Sequence, residues 1–428
     1  MNASLVTALA AVAQDRPPLI GPGRLAAPLG LARAQIGARA TALGPDGTIW
    51  QEFAADAPRF HGLVRRLKVE GQRTNAIRNP RFEGAVPGTP GTFPTFMTPN
   101  TDAGLTRSVV GVGSEFGLPF FDVRWSGTAS FNFLRWRLEP PGTGGVAATV
   151  GQLWAYRVPF RVLAGSSSGL TFRLVLTMHD AAGAQSGAYT SALIAGGAAV
   201  SDMVLNTPAL PFANTAFINV FADILMAVGT VMDVTVRYYA PQLEQGAFAS
   251  SPILPAVGTP AASTRGADLV SAPLAGMQIG SQGRCTILWS GSMAQAAPAS
   301  AGASLLEVDD GTPGNRLFAR IAAGTANLAI SRVTGGVGVA DLGLGATVPG
   351  VPFRAGFALN GAGRIAGSLE GGAVQAVTGG PAAGLTTLRL GLDAAGGSAL
   401  FGEIGTLRVL PYALSDAALP GAVLALPV

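Results

Sequence analysis

Lysine is all but missing from this chain: Lys68 stands alone among 428 residues. Charge of either sign is scarce, with 28 basic and 24 acidic residues and a net charge of only +4. The basic residues are almost all arginines, spaced singly. Their densest group, Arg65, Arg66, Lys68 and Arg73, is short and lacks the interleaved aromatics of a strand-stacking platform. The composition therefore argues against nucleic acid as a partner. Disorder is excluded too, because it needs low hydrophobicity and high net charge, whereas 48% of the residues are hydrophobic.

Cysteine and histidine are nearly absent. A single cysteine, Cys285, excludes an intrachain disulfide and any Cys-based zinc site. It lies in the strand-like run "GRCTILWSG", where a buried, inert thiol is expected. His61 and His179 are far apart in sequence, which excludes a His-rich metal cluster. A Ser/His or Cys/His catalytic pair would have to draw on one of these two. Long apolar runs are missing as well. The best span, "FINVFADILMAVGTVMDVTV", is interrupted by Asn219, Asp223 and Asp233. A membrane helix needs ~20 residues that are predominantly apolar, so no membrane insertion is expected. The opening "MNASLVTALAAVAQDRPP" has no basic n-region, so synthesis in the cytoplasm without a signal peptide is expected.

What is abundant is glycine (59) and proline (30), the composition of many short strands joined by tight turns. Residues 1–40 form an N-terminal segment expected to anchor or oligomerise. In it Leu5, Val6, Leu9 and Val12 recur at near-helical spacing, with Asn2 or Ser4 as N-cap and Pro17–Pro18 as terminator; a frayed terminus is the alternative. Residues 41–77 read as a small β connector, with Asp46–Gly47 marking a hairpin. Residues 78–249 alternate with period 2: Leu170, Phe172, Leu174 and Leu176 share one face, and Val234, Val236 and Tyr238 another. Residues 265–428 repeat the style with fewer aromatics, and Asn360–Gly361 sits at a hairpin tip. Between them, residues 250–264 read as a linker, because Pro252, Pro255 and Pro260 cannot donate to a ladder. The predicted fold class is all-β: two jelly-roll β-sandwiches in tandem behind a short helical or extended N-terminal anchor.

Certain stretches carry a resemblance. "APRFHG…LKVEGQRTNAIRNPRFEG" resembles the entry to a jelly-roll, carbohydrate-binding-like module in phage and gene-transfer-agent virion proteins. "APQLEQGAFASSPI…TRGADLV" resembles the exit of that module, with Ser250 and Pro252 departing from its usual residues. "FGEIGTLRVLPYALSDAAL" resembles the closing strands of concanavalin A-like (laminin G-like) jelly rolls, where "ALSDAAL" would form a short helix. The first forty residues match no such pattern. The resemblance implies a head spike or tail fibre on the surface of a phage-like particle. Such a protein docks on capsid or tail proteins through its N-terminus, forms a homo-oligomer and recognises bacterial capsular polysaccharide.

Sugars present polar edges and apolar C–H faces, so a site combines an aromatic platform with hydrogen-bonding side chains. The tryptophan-rich first sandwich offers Trp125, Trp154 and Tyr156 with Asp122 and Arg124; a tryptophan in a sandwich strand is otherwise core. The enzymatic alternative is a concanavalin A-like glycan hydrolase. Its family strand reads E-x-D-x-x-E, and "EVDDGT" supplies Glu307 and Asp309 but places Thr312 where the acid belongs. A retaining mechanism needs both carboxyls, about 5–5.5 Å apart, so no catalytic residue is assigned. Asp309 and Asp310 are instead a hairpin turn or a structural Ca²⁺ site, which requires 6–8 oxygens. A ligand-free decoration protein is the third alternative.

Overall fold

The computed structural model describes residues 17–34, 38–277, 279, 284–297, 302–380 and 384–428. The helix expected from Leu5 to Val12 lies outside the described residues. The remainder is nearly all β, in antiparallel sheets that build two sandwiches.

In the first sandwich one sheet runs in the order Leu105–Glu115, Leu118–Thr128, Val231–Tyr239, Trp154–Gly165, Ser201–Asn206, with Gln242–Gln245 also on Trp154–Gly165. The facing sheet runs Gln185–Thr190, Thr171–His179, Phe217–Leu225, Phe133–Arg137, Thr98–Pro99. The alternation read from sequence is the packing observed. Phe172, Leu174 and Leu176 are fully buried, as are Val234 and Val236, and Tyr238 is nearly so. The interrupted apolar run is two strands, Phe217–Leu225 and Val231–Tyr239, with Asp223 held on the outer face by Arg135 at 2.8 Å. No helix among the described residues is long and apolar enough to cross a membrane. At the tip joining Leu105–Glu115 to Leu118–Thr128, Gly117 has φ +73°, and a Cβ there would stand 1.8 Å from the Trp50 carbonyl oxygen. Only glycine lets this hairpin press so closely on the connector.

The second sandwich is larger than residues 265–428 supply. Its first sheet contains Gly402–Leu410, Cys285–Met293, Phe353–Leu359, Arg364–Leu369 and Gln375–Thr378. Ile20–Gly21 and Arg66–Val69 add to it along Gly402–Leu410. Its second sheet runs Val337–Ala346, Asn327–Thr334, Arg316–Ile321, Ala303–Asp309, Thr387–Leu390, Leu269–Pro273, and ends on Gly30–Ala32. The boundaries at 40 and 77 are therefore corrected: Ile20–Gly21, Arg24–Leu25, Gly30–Ala32 and Arg66–Val69 are strands of the C-terminal sandwich. An open sheet edge carries unpaired N–H and C=O groups, and the N-terminal strands satisfy them. Ile20, Leu67 and Val69 enter its core with Trp289 and Phe357. The closing helix spans Leu419–Leu424, so it begins at the last residue of "ALSDAAL", with Pro420 in its first turn. It buries Leu419, Ala422 and Val423 against Leu288 and Ala366.

The expected linker is corrected as well. Leu254–Pro255 pairs with Ala38–Leu43, and Ser263–Arg265 pairs with Arg73–Asn75. The "APRF", "EGQRTN" and "TRGAD" stretches converge here, in a buried ionic network. Arg59 donates to Glu70 at 2.8 Å and also holds Asp268, while Arg33 reaches Asp268 at 2.7 Å. Arg265 reaches Glu70 at 2.9 Å, and the Ser251 hydroxyl donates to the same carboxylate at 2.6 Å. Asn75 binds four backbone groups: its carbonyl accepts from Ile77 and Leu243, and its amide donates to Pro241 and Ile253. Burial alone would raise the Glu70 pKa, but Arg265, Lys68 and Arg59 hold it well below the usual carboxylate range.

Glu244, beside this network, is pushed up to about 7 by burial, against the opposing pull of Arg265, Arg73 and the Ser250 hydroxyl, with Glu70 adding to the rise. Its folded pKa exceeds the ordinary value of 4.5. The stability it contributes is therefore full below about pH 4.5 and lost as pH rises through about 7. The thermal midpoint is expected to fall as pH rises from about 4.5 to about 7 and to level off above that, and Glu244→Gln is expected to flatten that slope. An unchanged slope in Glu244→Gln would assign the pH dependence elsewhere.

Candidate functional site

The strand Arg316–Ile321 alternates strictly. Leu317, Ala319 and Ile321 enter the core, so Arg316, Phe318 and Arg320 face outward. Register then builds a row across four strands, Glu307 opposite Phe318, Phe318 opposite Ser331, and Ser331 opposite Asp341. This row lies in a groove of about 410 Å³.

The half-exposed Phe318 ring is its apolar element, with the Arg316 guanidinium 4.4 Å from the ring centroid. Glu307 is fully buried, accepting from Arg316 at 3.0 Å and from the Ala394 N–H at 2.9 Å. Burial still raises its pKa, ahead of those lowering contacts. Asp341 accepts from the Ser331 hydroxyl at 2.5 Å and from Arg320 at 3.2 Å. Two polar atoms beside the groove, the Ser304 hydroxyl and Arg316 Nε, are buried without a hydrogen-bond partner among the described residues. A ring flanked by donors and acceptors suits a sugar, whose C–H face packs on the ring while its hydroxyls bond sideways.

The residues singled out from sequence are placed otherwise. Trp125, Trp154 and Tyr156 are 5%, 4% and 0% exposed and belong to the first core, so the expected platform is corrected. Trp125 points inward with Phe121 and Val123 because all three occupy the same pleat register. Asp122 and Arg124 do lie on the outer face, but each is closed by a partner. Arg237 grips Asp122 at 2.8 and 2.7 Å, and Arg124 grips Asp233 at 2.6 and 2.7 Å.

The Ca²⁺ expectation is likewise corrected. Asp309 is fully buried against Arg389 at 2.7 Å, which supplies the cation that a metal would bring. Asp310 anchors the turn, accepting from the Thr312 N–H at 2.9 Å and from Asn315 at 2.8 Å. No group of three or more His, Cys, Asp or Glu among the described residues is placed to hold a metal. Thr312 lies in that turn, and the carboxylates that line the groove with Glu307 are Asp341 and Asp393. Cys285 is buried, its thiol pushed up to about 12 by burial. His61 accepts from the Leu43 N–H, and His179 is bonded to Thr177 and the Gly183 carbonyl.

No family model matches the chain, and no curated protein does. Solved structures of similar shape include the CBM40 domain of the Ruminococcus gnavus IT-sialidase bound to α2,3-sialyllactose. It is 19% identical over 35% of this chain and 86% of its own, with a TM-score of 0.29. The tripod (BppUct-A-L) from the baseplate of bacteriophage Tuc2009 is 11% identical over 76% of this chain and 100% of its own, with a TM-score of 0.29. A heptameric SAP-like pentraxin from Limulus polyphemus is 12% identical over 33% of this chain and 70% of its own, with a TM-score of 0.26. These are likenesses of shape at low identity, and the functional argument rests on the groove.

Proposed function

We propose that this protein is a receptor-binding component on the surface of a phage-like particle, gripping bacterial capsular polysaccharide in the Phe318 groove of its second sandwich. The observation that carries the binding reading is a half-buried aromatic ring on an outward sheet face, in a groove flanked by Arg316, Arg320, Ser331, Glu307 and Asp341. The particle setting rests on the resemblance of the "EGQRTN" and "TRGAD" stretches to virion proteins. Docking on capsid or tail is assigned to the N-terminal segment, residues 1–40, of which Ile20–Gly21 and Gly30–Ala32 also pair with the second sandwich. Several copies on one particle would raise weak sugar contacts to useful avidity.

The reading is of binding without hydrolysis. Glu307 is tied to Arg316 and a backbone N–H, and its would-be partner acid is a threonine in a turn. New reducing ends after incubation with capsule would replace it with the hydrolase alternative.

Phe318→Ala is expected to weaken binding to purified capsule about tenfold, the loss of one ring–sugar contact of about 1.5 kcal/mol. The ring lies outside the core, so its thermal midpoint stays close to that of the parent. Pull-down on capsulated and acapsular cells checks the source of the ligand. Equal retention by both kinds of cell, or full binding by Phe318→Ala, removes the groove from the reading.

A further inference from the structure

The Phe318 groove does not end at its own strands. It shares Gly302 and Ser398 with a neighbouring cavity of about 270 Å³ at the contact of the two sandwiches. That cavity shares Arg73, Leu153 and Gly246 with a cleft of about 810 Å³ against the first sandwich. We propose that these three cavities are one trench holding successive residues of a single polysaccharide chain, with the Arg73 cleft as a second sugar subsite. The inference rests on the glycan-binding reading above and extends it from a single sugar position to a polymer.

The chemistry of the cleft is that of a hydroxyl-rich ligand. Gln72, Thr74 and Gln245 are exposed on it and Gln152 is half-buried, so its wall offers neutral groups that both donate and accept. Sugar hydroxyls have the same dual character. No carboxylate is among the described residues lining it, and Arg73 is its one cation, which suits neither a basic partner nor a nucleic-acid backbone.

Arg73 is held ready. Its guanidinium lies 4.5 Å from the Phe401 ring centroid and 5.4 Å from that of Phe248, and it donates to the Gln245 carbonyl at 2.6 Å. Arg73 Nε also lies 3.7 Å from the buried Glu244 carboxylate, which fixes the guanidinium at the edge of the cleft. Phe248 and Phe401 meet edge to face at 5.2 Å and come from different sandwiches, so the passage is made only when both are docked.

The test uses the full chain and oligosaccharides released from purified capsule by partial hydrolysis, sized from one repeat unit upward. Affinity of the parent protein is expected to rise with length by on the order of 100-fold, as neighbouring subsites engage the same chain. Leu153→Trp, at a 37% exposed position shared by two of the cavities, fills the passage. Gln72→Ala combined with Gln245→Ala strips the cleft of amides on its exposed wall. Both variants are expected to keep single-repeat binding and the parent's thermal midpoint while losing the gain with length. Length-independent affinity in the parent, or a length gain that survives both variants, overturns the trench and leaves the Phe318 groove standing. Loss of single-repeat binding in Leu153→Trp also overturns it, by moving the site wholly to the cleft. Failure of every fragment to bind the parent overturns the glycan reading itself.

Discussion

Asp268→Ala is expected to lower stability by about 3–5 kcal/mol, the cost of leaving buried charge without its partner. Asp268 is fully buried and accepts from Arg33 and Arg59, which are themselves 3% and 0% exposed, and from the Glu70 N–H at 2.9 Å. Removing the carboxylate leaves Arg59 with Glu70, the Thr41 carbonyl and the Ser251 hydroxyl, and leaves Arg33 as a buried cation with only the Ala54 and Ala57 carbonyls as acceptors. Denaturant unfolding of the variant is the check, and a change within about 0.5 kcal/mol, the range of ordinary surface substitutions, would show that the network is not holding the joint. The double variant Arg59→Met with Asp268→Leu is expected to lose less than the sum of its single changes. It removes both charges together, and coupled neighbours are not additive. The same comparison separates a structural clasp from a ligand site, because neither variant touches the Phe318 groove.

This network explains why the joint could be read as a set of words and not as a structure. Arg59, Glu70, Arg265 and Asp268 lie up to 209 residues apart. No local period announces that four scattered charges meet in one dry place. The prolines at 252 and 255 gave a true local signal, an inability to donate, but Leu254–Pro255 still forms a two-residue edge pairing that makes few such demands. The N-terminal strands escaped for a related reason. Ile20–Gly21 and Gly30–Ala32 are too short to show alternation, and beyond the local pairing of Ile20 with Leu25 their partners, Leu407 and Leu269–Pro273, lie hundreds of residues away in two different sheets.

The sandwich strands were legible because burial on one face imposes period 2 directly on the residue order. The groove was legible by the same rule. In "RLFARI" an aromatic occupies the polar register between two arginines, while Trp125 in "FFDVRW" occupies the apolar register with Phe121 and Val123. Tryptophan content pointed to the first sandwich, but register decides exposure, and it favours the sandwich poorer in aromatics.

The sharpest consequence of that rule is a contrast between two aromatic truncations. Trp125→Ala is expected to cost about 3–5 kcal/mol, as large core aromatics do when cut to alanine. Trp125 is 5% exposed, in a core whose aromatic centre packs Trp136 against Tyr238 at 4.7 Å and against Phe121 at 5.7 Å. The outer edge of the Trp125 ring borders an open cavity of about 320 Å³ lined by Asn100, Asp102 and Arg107, and the rest of the ring is packed in the core. For a sandwich of this size the loss corresponds to a thermal midpoint lower by roughly 6–20 °C. Capsule affinity of the remaining folded protein is expected to match the parent, since the ring is buried and lies in neither the Phe318 groove nor the Arg73 cleft. Phe318→Ala is expected to do the reverse, losing affinity and keeping the midpoint. Differential scanning calorimetry and capsule binding on the same two preparations read both quantities. A Trp125→Ala protein that melts with the parent and fails to bind would return the sugar to the first sandwich and remove the argument from register.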